Sequence, residues 1–169
     1  MKTAVVYFSL FGANEKIASK LSEELRGKIH RIQEIKQRKK GFALYFTGGF
    51  QAIFGISSKI KDMDFKIDDY DSLILEGPLW GGLPCPALNA FVEKTDFTGK
   101  KVGIFLTTTG GNAVVALKKL SDKIEQRGGN CLVADYYNVF KLSSEKMLDK
   151  TREYAEHFKK SIKNIRGTK

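Results

Sequence analysis

Residues 4–18 read Ala4-Val5-Val6-Tyr7-Phe8, then Ser9-Leu10-Phe11-Gly12-Ala13-Asn14, then Glu15-Lys16-Ile17-Ala18. The continuous apolar run over 3–8 is the mark of a strand covered on both faces. Beyond the short Ser/Gly turn, Ile17, Leu21 and Leu25 recur every fourth residue, which predicts one face of a helix ending near Gly27. Strand, tight turn and helix together set a hydroxyl and several unpaired backbone N–H groups at a helix N-terminus. A chain can hold a phosphate there without a basic side chain. A phosphorylated ligand is therefore the first expectation.

The same alternation continues outward. A second strand is expected over Lys28–Ile35, with a loose polar/apolar pattern that suggests a sheet edge. Residues 71–76 and 101–106 predict the third and fourth strands, and Cys131-Leu132-Val133-Ala134 begins a fifth. Between the third and fourth, Ala87 to Lys94 predicts a short helix preceded by Pro84 and Pro86, where proline is tolerated. Ala113, Leu117, Leu120 and Ile124 mark another helical face, closed by Gly128-Gly129, and Met147, Thr151, Tyr154, Phe158 and Ile162 define a final helix. Strands and helices in alternation imply parallel strands joined by right-handed crossovers, in one three-layer α/β domain spanning residues 1–169. Ligands in such sheets bind outside the carboxyl ends of the strands.

Composition narrows the class. The chain has 169 residues, 42% hydrophobic and 28% charged, with 3 prolines, which fits a soluble globular domain. No apolar run reaches the roughly 20 residues that cross a bilayer. The stretch behind Lys2 lacks the features of a signal peptide, so a cytoplasmic location is expected. Cys85 and Cys131 are far apart and make no C-x-x-C pair, as suits two free thiols in a reducing compartment. No metal site is expected, since His30 and His157 lack partners at ligand spacing. The net charge of +10 concentrates at Arg38-Lys39-Lys40 and at Lys159, Lys160, Lys163 and Arg166. It is explained by solvated helix faces, or by attraction to an acidic partner protein or an anionic membrane surface. Nucleic acid ranks below these, because no recognition motif accompanies the charge.

The loops at the strand ends matter most. The first strand ends in the Ser/Gly turn, the third in Gly77-Pro78-Leu79-Trp80-Gly81-Gly82-Leu83-Pro84, and the fourth in Thr107-Thr108-Thr109-Gly110-Gly111-Asn112. Glycine permits close backbone approach to a flat ligand, threonine hydroxyls bond phosphate or carbonyl oxygens, and indole offers a stacking face. Each feature also has a purely structural explanation as a tight turn, a strand end or a core tryptophan. Their coincidence on one rim favours a ligand. The first turn has neither G-x-G-x-x-G nor G-x-x-x-x-G-K-[ST], which disfavours the usual dinucleotide and nucleoside triphosphate folds. Phe8, Ser9 and Gly77 stand where a phospho-receiver domain needs acidic residues, and no Ser/His/Asp or Cys/His set is visible.

With these loops the chain resembles the flavodoxins and flavodoxin-like FMN proteins. Their phosphate loop reads [ST]-x-T-G-x-T. Ser9 and Gly12 match it, whereas Phe11 and Asn14 replace two threonines, Asn14 retaining an amide donor. The resemblance spans the chain in element order and implies a five-stranded parallel sheet in the order 2-1-3-4-5. It implies FMN as cofactor, with Ser9, Leu10, Phe11, Gly12, Ala13 and Asn14 at the phosphate. Pro78, Leu79, Trp80, Gly81 and Gly82 would then flank one side of the isoalloxazine, and Thr108, Thr109, Gly110 and Gly111 the other. Gly81 or Gly82 would offer a backbone group to the ring's N5, while Cys85 reads as a buried, inert thiol.

Two features depart from the family pattern. The basic charge reverses that of the acidic flavodoxins, so their partner preferences do not transfer. The stretch 38–55 places Phe42, Phe46, Phe50 and Phe54 at intervals of four, a stripe that either packs on the sheet or forms a lid, partner surface or interfacial membrane contact. Gly48-Gly49 interrupts it. Three functions fit: an FMN electron carrier between redox partner proteins, an FMN-dependent NAD(P)H:quinone-type reductase, and a binding module of the same fold without flavin. The absence of an evident nicotinamide site favours the carrier.

Overall fold

The computed structural model describes residues 1–36, 56–140 and 143–167. The aromatic stretch 38–55, with Arg38-Lys39-Lys40, lies outside the described residues. Strand β1 (Thr3–Tyr7) is buried along its whole length because parallel neighbours flank it on both sides. It pairs with β2 (Lys28–Arg31), Val6 opposite His30, and with β3 (Ser72–Trp80), Val5 opposite Ile74. A two-residue strand, β4 (Leu83–Pro84), turns back antiparallel on the end of β3. The sheet continues from β3 to β5 (Lys101–Thr108) and then β6 (Asn130–Asn138), both parallel. The order is β2-β1-β3-β5-β6, so the five parallel strands take the 2-1-3-4-5 arrangement implied by the resemblance, with the β3–β4 hairpin added.

Among the described residues, two helices cover each face of the sheet. Helices α1 (Ala13–Leu25) and α4 (Ser144–Gly167) cover one side, where Ile17, Leu21, Tyr154, Phe158 and Ile162 pack with Val5, Tyr7, Ile74 and Phe105. Helices α2 (Pro86–Lys94) and α3 (Val114–Gln126) cover the other, bringing Leu88, Phe91, Leu120 and Ile124 to Ala4, Val6, Leu75 and Ile104. The period-two alternation of strand side chains produces this division. Edge strand β2 is itself covered: His30 hydrogen-bonds Asp64 (2.9 Å) and Tyr70 (2.8 Å) and stacks on Phe65.

Several strands differ in length from their apolar runs. Strand β2 stops at Arg31 rather than Ile35, because the chain beyond it turns and Glu34 forms an isolated antiparallel bridge with Ile60. Strand β3 continues past Glu76 through Gly77-Pro78-Leu79-Trp80, and β5 continues through Thr107 and Thr108, since both still have partners in the ladder. For the same reason β6 extends to Asn138.

Candidate functional site

The turn after β1 is built largely from its own backbone. Ser9 is buried, and its Oγ accepts the Gly12 N–H at 3.0 Å, while the Arg31 guanidinium reaches over from β2 and donates to the Ser9 carbonyl at 2.9 Å. Gly12 has φ +87°, a left-handed conformation that glycine adopts without strain, and an added Cβ there would meet nothing within 4 Å. It is the N-cap of α1 and, having no side chain, leaves the helix N-terminus uncapped. Leu10 is half-buried against the core, Ala13 is exposed, and Phe11 projects into solvent at 63% exposure. Asn14 is buried in the first helical turn. Its Oδ1 accepts from the Thr107 hydroxyl at 3.1 Å, and its Nδ2 has no hydrogen-bond partner among the described residues. A buried amide donor without a partner is costly unless something fills the position.

Residues 77–84 form strand and hairpin rather than an open loop. Trp80 faces Leu83 and Leu79 faces Pro84, so Gly81-Gly82 is a two-residue turn, with φ of 59° and 78°. Positive φ at both central residues is the geometry that favours glycine in such turns, so the hairpin already explains the pair. Pro78 and Trp80 are half-buried and Leu79 is buried. Trp80 meets Phe8 edge to face, ring centroids 5.9 Å apart.

After β5, Thr108 is committed to its own turn: its hydroxyl donates to the Gly110 carbonyl at 2.7 Å and accepts the Gly110 N–H at 3.2 Å. Thr109, Gly110 and Gly111 are exposed, with open space beside both glycines. Two contacts therefore bind the three turns into one rim. Thr107–Asn14 joins the first to the last, and Phe8–Trp80 joins the first to the hairpin.

A fully buried carboxyl lies under this rim, that of Glu76. It lies on β3 between Tyr7 of β1 and Phe105 of β5, is fully buried, and neither carboxyl oxygen has a hydrogen-bond partner among the described residues. Burial holds its pKa well above the ordinary glutamate range. Burial also raises the Tyr7 hydroxyl, with Glu15 and Glu76 adding to the shift and Arg31 opposing it. Cys85 is sealed behind the hairpin, its thiol pushed up to about 12 by burial, which makes it a poor nucleophile. Among the described residues, no three His, Cys, Asp or Glu side chains gather where they could hold a metal ion. No helix among them is long and apolar enough to cross a membrane.

Sequence reasoning puts Thr107 in the fourth loop without assigning it to the site, and it misses Arg31 and Glu76 altogether. Arg31 sits on another strand, and its contact is to a backbone carbonyl, for which the sequence carries no signal. Glu76 has the look of the polar end of an apolar run. The rim as a whole offers an uncapped helix N-terminus, one unpartnered amide donor and glycine-lined open backbone. These features can hold an anion at the first turn and leave room for a flat group across the other two.

Solved proteins share this fold. A candidate flavoprotein from Bacteroides uniformis is 23% identical, covering 88% of this chain and 96% of its own, with TM-score 0.70. A flavoprotein from Lactobacillus acidophilus, solved in complex with FMN, is 18% identical over 88% of this chain and 97% of its own, with TM-score 0.69. Oxidised flavodoxin 1 from Bacillus cereus is 18% identical over 95% and 98%, with TM-score 0.61. No protein of curated function matches the sequence. Residues 55–151, more than half of the chain, match the family model described as Flavodoxin, and the chain belongs to the flavodoxin family.

Proposed function

We propose that this protein binds FMN and carries electrons between larger redox proteins. The observation that carries the reading is the buried Asn14 Nδ2, which has no partner among the described residues, in the first turn of a helix whose N-terminus has no side-chain cap. A phosphate at the Ser9–Asn14 turn would accept from that amide and from the free N–H groups of α1, where the helix dipole favours an anion. The solved FMN complex of a protein with this fold supports the assignment. The hairpin of Leu79, Trp80, Gly81 and Gly82 and the turn of Thr108, Thr109, Gly110 and Gly111 would flank the isoalloxazine.

When bound, FMN supplies the electron chemistry, and the protein supplies position and environment. Asn14 and the α1 N-terminus hold the phosphate end. The Thr107 hydroxyl occupies the Asn14 Oδ1, leaving the Nδ2 N–H groups to the phosphate. Trp80, braced on Phe8, and the glycine-rich backbone on either side would exclude water from the ring faces. Cys85 takes no part, since its buried thiol stays protonated.

The excess of basic residues, +10 over the chain, suits docking to acidic redox proteins. Steady-state assay of the FMN-loaded protein with NADH or NADPH and a quinone tests the carrier reading. Negligible turnover alone, with electron transfer appearing once a separate flavin reductase is added, supports a carrier. Rapid nicotinamide oxidation without a reductase would identify a stand-alone oxidoreductase instead.

A further inference from the structure

Glu76 is a buried feature beneath the rim that the proposed function leaves unused. A carboxyl group at the centre of a parallel sheet, with neither oxygen partnered among the described residues, is costly to keep ionised. Its position gives it a neighbour. Glu76 shares a sheet face with Ile74, opposite Tyr7 and Phe105, the face covered by α1. The Glu76 carbonyl accepts the Phe8 N–H at 3.0 Å, one residue before the anion turn. One pleat along β5 from Phe105, Thr107 holds Asn14 in the first turn of α1. Glu76 thus lies on the sheet face that α1 covers, two residue pairs along the β3–β5 ladder from the Thr107 that holds Asn14.

A phosphate dianion at the turn and an ionised Glu76 on the sheet face under α1 repel each other through the apolar core, and the more deeply buried one gives way by taking a proton. Among the described residues none offers the Glu76 carboxyl a hydrogen bond. Tyr7, its neighbour on β1, stays protonated and has Glu15 of α1 as a nearby negative charge and Arg31 of β2 as a nearby positive one. Tyr154 of α4 donates to the Val133 carbonyl, Tyr137 of β6 donates to the Ser143 carbonyl, and Cys85 across the sheet is protonated.

We propose that Glu76 is a proton-linked positioning residue: the Ser9–Asn14 turn accepts a phosphate dianion only while Glu76 carries a proton, so the protein takes up H⁺ from solvent on binding and loses its ligand as pH rises. The inference rests on the FMN reading, because it concerns the same turn.

The test is the dissociation constant for FMN, measured by flavin fluorescence between about pH 6.5 and 9.5, a span above the second ionisation of the phosphate. Riboflavin, which lacks the phosphate, and Glu76→Gln, which is permanently neutral, are run in parallel. The expected result is FMN affinity in the wild type that weakens with pH by up to about tenfold per unit. Riboflavin affinity stays level over the same range, which also reports an intact fold, and E76Q binds FMN without the pH dependence. FMN binding that is level with pH, or that weakens equally for riboflavin or in E76Q, overturns the proton linkage and leaves the FMN reading standing. Failure to bind FMN at any pH overturns both.

Discussion

Thr107 donates its hydroxyl to the amide oxygen of Asn14 at 3.1 Å, a buried bond between residues 93 apart in sequence. It ties the end of β5 to the first turn of α1 and determines which end of the Asn14 amide is left for a ligand. The family pattern usually places a threonine at position 14. Here an asparagine occupies it, held by a threonine from a different strand.

Thr107→Val removes the donor and leaves Asn14 Oδ1 buried without a partner. The expected cost to stability is about 1–2 kcal/mol, measured by urea denaturation. FMN affinity should fall about fivefold to tenfold as Asn14 loses its fixed orientation. Thr107→Ser keeps the hydroxyl and should retain both, and a serine variant as weak as the valine variant would contradict the role assigned to the hydroxyl bond.

Glu76 also governs stability through pH. Its folded-state pKa lies above the ordinary value of 4.5, so the folded state binds the proton more tightly than the unfolded chain. The contribution is fully present below that ordinary value and is lost as pH rises toward the raised one, at a slope of about 1.4 kcal/mol per pH unit. Glu76→Gln should remove this slope and be the more stable form at neutral pH. Thermal melts of the two proteins across the pH range read it directly, and parallel profiles would mean that Glu76 is not the group responsible.

Gly103 packs β5 against α4. A Cβ there would lie 2.7 Å from Ile74 Cδ1 and 3.1 Å from Phe158 Cδ2, and would collide with the Tyr154 hydroxyl. That hydroxyl donates to the Val133 carbonyl at 3.2 Å, so Gly103→Ala disturbs a buried hydrogen bond as well as the packing. A loss of about 2–4 kcal/mol is expected. Gly110→Ala meets open space and should change stability by less than about 0.5 kcal/mol. Similar losses for the two would contradict the packing assigned to Gly103.

The parts of the fold that hydrophobic periodicity controls are legible in the sequence. Ile17 and Leu21 of α1, Leu120 and Ile124 of α3, and Phe158 and Ile162 of α4 are all buried where their spacing puts them. Strand ends are harder to read, because Gly77-Pro78 and Thr107-Thr108 look like loop residues and stay in the ladder only because a neighbouring strand is there to pair with them. The same blindness hides Glu76. A glutamate closing an apolar run reads as a solvent-facing end, and its burial depends on β1, β5 and α1 converging over it. The Gly81-Gly82 pair is legible as glycine but not as a hairpin, since the pairing of Trp80 with Leu83 is a tertiary fact. Ser9 and Thr108 read as hydroxyls open to a ligand, whereas both make hydrogen bonds within their own turns.

The central claim is that the Ser9–Asn14 turn holds the phosphate of FMN, and the most direct measurement is a titration of flavin-free protein with FMN and riboflavin, monitored by quenching of flavin fluorescence. Saturation at one FMN per chain is expected, with riboflavin bound about tenfold or more weakly for want of the charge-assisted hydrogen bonds. Equal affinity for the two flavins would remove the phosphate from this turn, and a protein that quenches neither would contradict the FMN assignment itself.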